Sequence, residues 1–408
     1  MFFKHSRFSH FLILIAMAVF SFLMFLFSSK NRISSELCEQ LGVKVMYIDT
    51  LAGKKISSKS DWVSSRYELG SFSGGCKVRG RGNTTWVTRE LYKRPYLLKL
   101  DEEQPLLGGE SARKWILMAN TADKTSLRNR YARFLATQVW NKMRWTPDAS
   151  FVALFLNGKF NGLYELTEKI EFERLDLAQD SFLAVVNTKL NKEYNFITAH
   201  GTKVSIRMDG KNTSEYERMR RTVQTAEDVL FSDGFAADGG WRSFFDEDSF
   251  VDWYLVNEFT KNHDAWFQSS CWFYFDSLTR KIFMGPVWDF DISCGNISWD
   301  GCDDPEGFFV NTDQWYKRLF EDETFRAKVR KRYAQTQNQL TASFDWIRRE
   351  ATSIKPLVEL NDSVWHNIGH RQWPHAPGWR SRKTFESEVA YMIEFLEKRK
   401  VWMDGALT

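Results

Sequence analysis

Two aspartates, Asp289 and Asp291 in the stretch VWDFD, follow an apolar run from Ile282 to Trp288 that reads as a buried strand. Carboxylates at the end of a buried strand are costly unless something positive meets them. A second loop upstream carries Asn262, His263 and Asp264. It follows DEDSFVDWYLVNEFTK (246–261), which opens on N-cap residues and continues as an amphipathic helix. Acids delivered by two separate loops, each backed by an apolar element, suit a divalent cation and a phosphoryl donor. Hard cations take oxygen ligands, and magnesium pairs one or two carboxylates with substrate phosphates. Capping or salt-bridging to arginines is the structural alternative. His263 offers a base, although a loop histidine is more often simply exposed. The later acids Asp300, Asp303, Asp304 and Glu306 read as a solvated loop.

Candidates for holding phosphate lie earlier. VRGRGNTTW (78–86) sets Arg79, Arg81 and the hydroxyls of Thr84 and Thr85 around Gly80 and Gly82. Glycine lets a backbone approach a ligand closely, and arginine grips phosphate oxygens. The stretch is neither a Walker A loop nor a full GxGxxG, since Thr85 stands where the third glycine belongs. In PYLLKLD, Leu97 and Lys99 share one face of a strand while Tyr96, Leu98 and Leu100 share the other. That arrangement lets the compact charge of Lys99 point into a cleft. YELTEKIE brings Glu165, Glu168 and Lys169 to the end of a hairpin strand, where a carboxylate can pair with a cleft lysine. A surface turn, a solvated strand face and exposed strand-end charges are the ordinary readings of these three stretches.

The elements that must position these residues follow from periodicity. VKVMYI (43–48), PYLLKL (95–100) and FLAVVN (182–187) read as strands, and 150–170 reads as a hairpin around an Asn157-Gly158 turn. A second hairpin covers 270–276 and 281–288. Helical periodicity runs over 126–143, 214–231, 246–261 and 384–403, and the chain is mainly helical after about residue 312. β-rich first and helix-rich last predicts an α+β architecture, with room for two lobes. Lysine plus arginine (56) nearly balance aspartate plus glutamate (52), for a net charge of +4. Such a balance leaves no footprint of general nucleic-acid binding.

The N-terminal run FLILIAMAVFSFLMFLF (11–27) carries no charge and is flanked by Lys4, Arg7, Lys30 and Arg32. It is long enough for a membrane anchor, and a cleaved secretory signal is the alternative. Either reading places the rest of the chain outside the cytoplasm if the N-terminus stays inside. The division expected is an anchor or signal segment with a short tether over 1–35 and one domain over 36–408. None of the five cysteines forms a CxxC pair, so a zinc site is not expected. In an oxidising compartment Cys294 and Cys302 are the easiest pair to bridge, with five unpaired thiols as the alternative.

Taken together, VRGRGNTTW, KRPYLLKLD, LLGGESARKWILMANTADKTSLRNRYA, FVALFLNGKFNGLYELTEKIE, FVDWYLVNEFTKNHDAWFQSSCWFY and KIFMGPVWDFD resemble, in order, the motifs of the CotH kinase family, the spore-coat-protein-H-like atypical kinases. They span roughly residues 75–295. The tail FLEKRKVWM fits the family's C-terminal helix. The resemblance implies a bilobal, protein-kinase-like fold with its cleft between a β-rich and a helix-rich part. It implies ATP and Mg²⁺ or Mn²⁺ as cofactors and phosphoryl transfer to Ser or Thr of a protein substrate at the cell envelope or surface. Carried onto this chain, Asp264 matches the catalytic aspartate and Asp289 the metal-binding one, with Asp291 assisting. Lys99 and Arg81 match the phosphate-holding positions, and Glu168 is the candidate partner of Lys99. The pattern departs from ordinary kinases: Asn262-His263-Asp264 replaces H-R-D, and Ser269 stands five residues after Asp264, where a second metal ligand belongs. A non-catalytic surface or adhesion module that keeps the fold is the competing functional class.

Overall fold

The structure, a computed structural model, describes residues 33–88, 92–188, 194–208 and 212–407. The apolar run 11–27 lies outside them, and among the described residues no helix is long and apolar enough to cross a membrane.

β1 (Lys44–Thr50), β2 (Val63–Leu69), β3 (Phe72–Gly80), β4 (Tyr96–Gln104), β5 (Ala112–Met118), β6 (Ala149–Leu156) and β7 (Lys159–Glu168) close into a barrel. The order around it is β1-β2-β3-β4-β5-β7-β6. Closure comes from β6 returning parallel to β1, with Met46 opposite Leu154, which leaves no unpaired edge. Alternation drives the inner lining. In β2, Val63, Ser65, Tyr67 and Leu69 are buried while the residues between them are exposed. Val78, Leu98, Trp115, Leu117, Val152 and Leu166 fill the interior.

A second sheet has the order β12-β11-β8-β10-β9, from β8 (Phe182–Val186), β9 (Asn195–Ile197), β10 (Lys203–Arg207), β11 (Cys271–Asp276) and β12 (Lys281–Met284). One face of it packs on the helices. The other meets the outer face of the barrel, where Leu97, Ile116 and Met118 cluster with Leu183, Tyr274 and Trp288. Helices Gln314–Leu319, Glu323–Gln335, Gln337–Trp365 and Phe385–Leu407 complete the C-terminal part. The chain is thus α+β, β-rich first and helix-rich last. The expected class and order hold, but the β-rich part is a closed seven-strand barrel rather than the open lobe of a kinase bilobe.

Three expected elements differ. The helix expected over 126–143 is α-helical only over Arg128–Phe134, widens into a π-turn over Leu135–Val139 and stops. The strand expected to reach Trp288 ends at Met284, because Gly285 turns with φ +110° and Pro286 has no N–H for a ladder. The helix expected to be amphipathic, Glu247–Thr260, is buried on all sides from Ser249 onward. Its polar residues are neutralised by partners: Asp252 binds Arg332 at 2.8 Å and Glu258 binds Arg399 at 2.5 Å. All five cysteines are buried free thiols, so the Cys294–Cys302 bridge does not form.

Candidate active site

Asp264 is carried by a loop pinned on both sides. The buried helix Glu247–Thr260 ends at Lys261, which takes a left-handed conformation (φ 47°). The buried amide of Asn262 folds back on Asn257, donating to its Oδ1 at 3.1 Å. A single 3₁₀ turn, His263–Ala265, follows. The carbonyl of Asp264 accepts from the amides of Gln268 and Ser269 and from the Cys271 thiol. Buried Ala265 and Phe267 anchor the far side.

Asp289 and Asp291 flank a buried Phe290 whose amide donates to Asn129 Oδ1 at 2.8 Å. Asp289 is left-handed (φ 69°), a conformation aspartate tolerates better than most residues. The Asp291 carbonyl accepts from Asn296 Nδ2 at 2.6 Å, and the same amide nitrogen reaches the Ala122 carbonyl at 2.9 Å. The loop after β12 is therefore tied to the segment before helix Arg128–Phe134.

These loops bring Asp264, Asp289 and Asp291 within electrostatic reach of one another. Burial and the Asp264 charge push the Asp289 carboxyl up to about 6, against Arg81 and a hydrogen bond from Ser270. Asp291 is pushed well above the usual range by burial, then by Asp289, Asp264 and Asp123. Clustered acids of this kind cannot all ionise at low cost. Arg128 helps Asp291 little, because it is committed to Asp123: the buried pair meets at 2.5 Å. Neither Asp123 nor Arg128 was singled out from the sequence. Their signal was the order of acid, hydroxyl and arginine in ADKTSLR, which reads equally as a helix start.

The barrel contributes Arg81. Its guanidinium lies 5.5 Å from the centre of the Trp288 ring and its charge acts on both Asp289 and Asp291. Gly80 precedes it for a packing reason, since a Cβ there would sit 2.2 Å from the Trp86 ring. Lys99 is half-buried on the outer face of β4, the face through which Leu97 meets the second sheet. It is in register with Lys77 on one side and Lys114 on the other. Glu168 does not serve Lys99. Arg174 holds its Oε1 at 2.8 Å, and its Oε2 accepts the Asp148 amide at 2.9 Å. The carboxylate is already satisfied at the barrel's end, so Lys99 has no acid partner there.

His263 is not the exposed loop residue expected. Its side chain is 15% exposed, and its Nε2 lies 2.8 Å from Asp300 Oδ2. Its Nδ1 is buried without a hydrogen-bond partner, 3.9 Å from Asp264 Oδ1. Trp299 and Phe309 flank the ring. Burial alone would lower its proton affinity, but the hydrogen bonds and charges of Asp264 and Asp300 outweigh it and raise the imidazole above its usual 6.5.

The donor set fits a hard cation in one respect. Asp289 and Asp291 are half-buried, mutually repelling carboxylates that a cation would relieve, and beside them Asn129 Nδ2 is buried with no partner. Among the described residues no three His, Cys, Asp or Glu side chains form a ready-made metal group. A metal held by Asp289 and Asp291 would therefore complete its shell with water or phosphate oxygens, as magnesium prefers.

Acids on two converging loops thus share one electrostatic neighbourhood with an arginine from a glycine-flanked turn. The chain matches the CotH kinase protein family over residues 78–403 and belongs to it. No curated protein matches the chain.

Proposed function

We propose that this protein transfers the γ-phosphoryl group of ATP to a Ser or Thr hydroxyl of a protein, with Mg²⁺ or Mn²⁺, at the cell envelope or surface. The observation that carries this reading is the convergence of Asp264, Asp289 and Asp291 with Arg81. When bound, the metal–ATP complex supplies the electrophilic phosphoryl group. Asp264 orients the acceptor hydroxyl and takes its proton. Asp289 and Asp291 hold the cation. Arg81 and Lys99 balance phosphate charge, so the chain contributes positioning and charge neutralisation more than covalent chemistry. On this reading the barrel and the helix-rich part are the two lobes of a kinase-like fold. The run 11–27 is then an anchor or signal that places the domain outside the cytoplasm.

Labelled-ATP transfer by the purified protein with Mg²⁺ or Mn²⁺ tests the proposal. Incorporation into Ser or Thr, abolished in Asp264→Asn, supports it. A wild-type protein whose melting temperature is unmoved by Mg²⁺-ATP and Mn²⁺-ATP, and which transfers nothing, is a non-catalytic module instead.

A further inference from the structure

We propose that His263 and Asp300 form a proton exit from Asp264, a relay that rests on the phosphoryl-transfer reading. The geometry is specific. The imidazole is anchored on one nitrogen by Asp300, a half-exposed carboxylate at the solvent edge, and presents its other nitrogen, buried and without a partner, toward Asp264. With the Nε2 proton donated to Asp300, Nδ1 carries the lone pair and is the acceptor. Two of its ring contacts are aromatic, Trp299 and Phe309, and they fix the plane without competing for a proton.

The other ionisable groups packed around this loop are spent or neutral. Lys261 donates to the carbonyls of Asp304 and Glu306. Glu258 is paired with Arg399. Burial pushes the thiol of Cys302 up to about 12 and raises that of Cys271 well above its usual value, so both stay protonated. Asp264 and Asp300 are the two groups that act on the ring.

The proton count closes. The acceptor oxygen forms its bond to phosphorus as the bond to ADP breaks, and ADP leaves with that electron pair. The hydroxyl proton passes to Asp264, then to His263 Nδ1. The resulting imidazolium releases its Nε2 proton to Asp300 and so to water, and proton exchange with solvent after product release restores the Nε2–H tautomer for the next turnover. The 3.9 Å gap between Nδ1 and Asp264 Oδ1 is longer than a hydrogen bond, and such contacts tighten when substrate binds. Regenerating the Asp264 carboxylate matters here because Asp289 and Asp291 crowd it with negative charge. His263 acts through Asp264, so it is a positioning and relay residue.

The test is transfer from labelled ATP to casein by the full chain, from pH 5.5 to 9, with thermal melts in parallel. Wild-type kcat should rise with pH as His263 loses its proton, with the inflection above 6.5. His263→Asn should lower kcat roughly 10-fold or more and abolish the inflection, with KM for ATP and the Mg²⁺-ATP melting shift kept. His263→Gly should be rescued by added imidazole, and Asp300→Asn should move the inflection to lower pH. The relay is overturned if His263→Asn keeps both rate and inflection. It is equally overturned if His263→Gly melts normally, keeps its Mg²⁺-ATP shift and is not rescued. A wild type that transfers nothing to casein or to itself overturns the phosphoryl-transfer reading and the relay together.

Discussion

Arg81 lies over the indole of Trp288, 5.5 Å from the ring centre, and so sits one residue away from the carboxylate it partly neutralises. The stack matters because guanidinium is planar and weakly hydrated, whereas an ammonium is neither. Arg81→Ala should raise the proton affinity of Asp289 above its present value of about 6 and weaken Mg²⁺-ATP binding roughly 10-fold, the loss of a charge-assisted contact. Arg81→Lys should recover only part of this, since it keeps the charge without the flat face. Calorimetric titration of the three proteins with Mg²⁺-ATP decides it, and equal affinities would remove Arg81 from the site.

Asp289 and Asp264 should separate in their substitutions. Asp289→Asn keeps the shape and removes one ligand charge, so metal–nucleotide binding should fall roughly 10-fold or more while the fold survives. On the proposed reading, in which Asp264 acts on the acceptor hydroxyl, Asp264→Asn should retain Mg²⁺-ATP binding and lose transfer. If both variants instead melt lower than wild type and bind nucleotide equally well, the acids are structural salt-bridging groups.

The pH dependence of stability follows from the same cluster. Asp289 rises from the usual 3.8 to about 6 on folding, so the folded state holds its proton more tightly than the unfolded chain. The contribution favouring the fold is present below about 4 and is lost as the pH rises through about 6; Asp291 acts in the same direction. In metal-free buffer, the melting temperature of wild type relative to Asp289→Asn should therefore fall between pH 4.5 and 7.5. Saturating Mg²⁺-ATP should narrow the gap at the upper end. A pH-independent difference would mean that Asp289 ionises freely in the fold.

Much of this site was legible in the sequence because charge against an apolar background is a local signal. Asp264, Asp289, Asp291 and Arg81 stand out in that way, and the structure brings them together. β2 went unread in the sequence although VSSRYEL alternates in burial, and closure of the barrel follows from β6 pairing with β1, a non-local contact that no window displays. Glu168 was misplaced because Lys99 and Arg174 are both within reach of a strand end, and only the fold chooses between them. Asp300 is exposed as its loop suggests, but His263 is not, because the carboxylate that anchors it lies 37 positions away, a contact that neither loop displays alone. Helix Glu247–Thr260 looked amphipathic because its acids are neutralised by arginines 80 and 141 positions away.

The Glu258–Arg399 pair ties the C-terminal helix to the helix that carries the Asp264 loop, and its rupture should be felt in both. Both side chains are fully buried. Glu258 also accepts the amides of Phe309 and Val310 at 2.8 Å each, while Arg399 donates to the carbonyls of Pro305 and Gly307. Arg399→Met removes the cation and leaves a buried carboxylate with two amide donors, a change that costs about 3–5 kcal/mol in comparable buried pairs. Arg399→Met combined with Glu258→Gln should recover part of that loss, because the uncompensated charge is gone. The loop bearing Phe309 packs against His263, so the single variant should also disturb transfer more than Mg²⁺-ATP binding. Chemical denaturation of wild type, the single variant and the double variant measures the first effect, and transfer kinetics the second. A single variant as stable as wild type would show that the pair is not what holds this helix to the site.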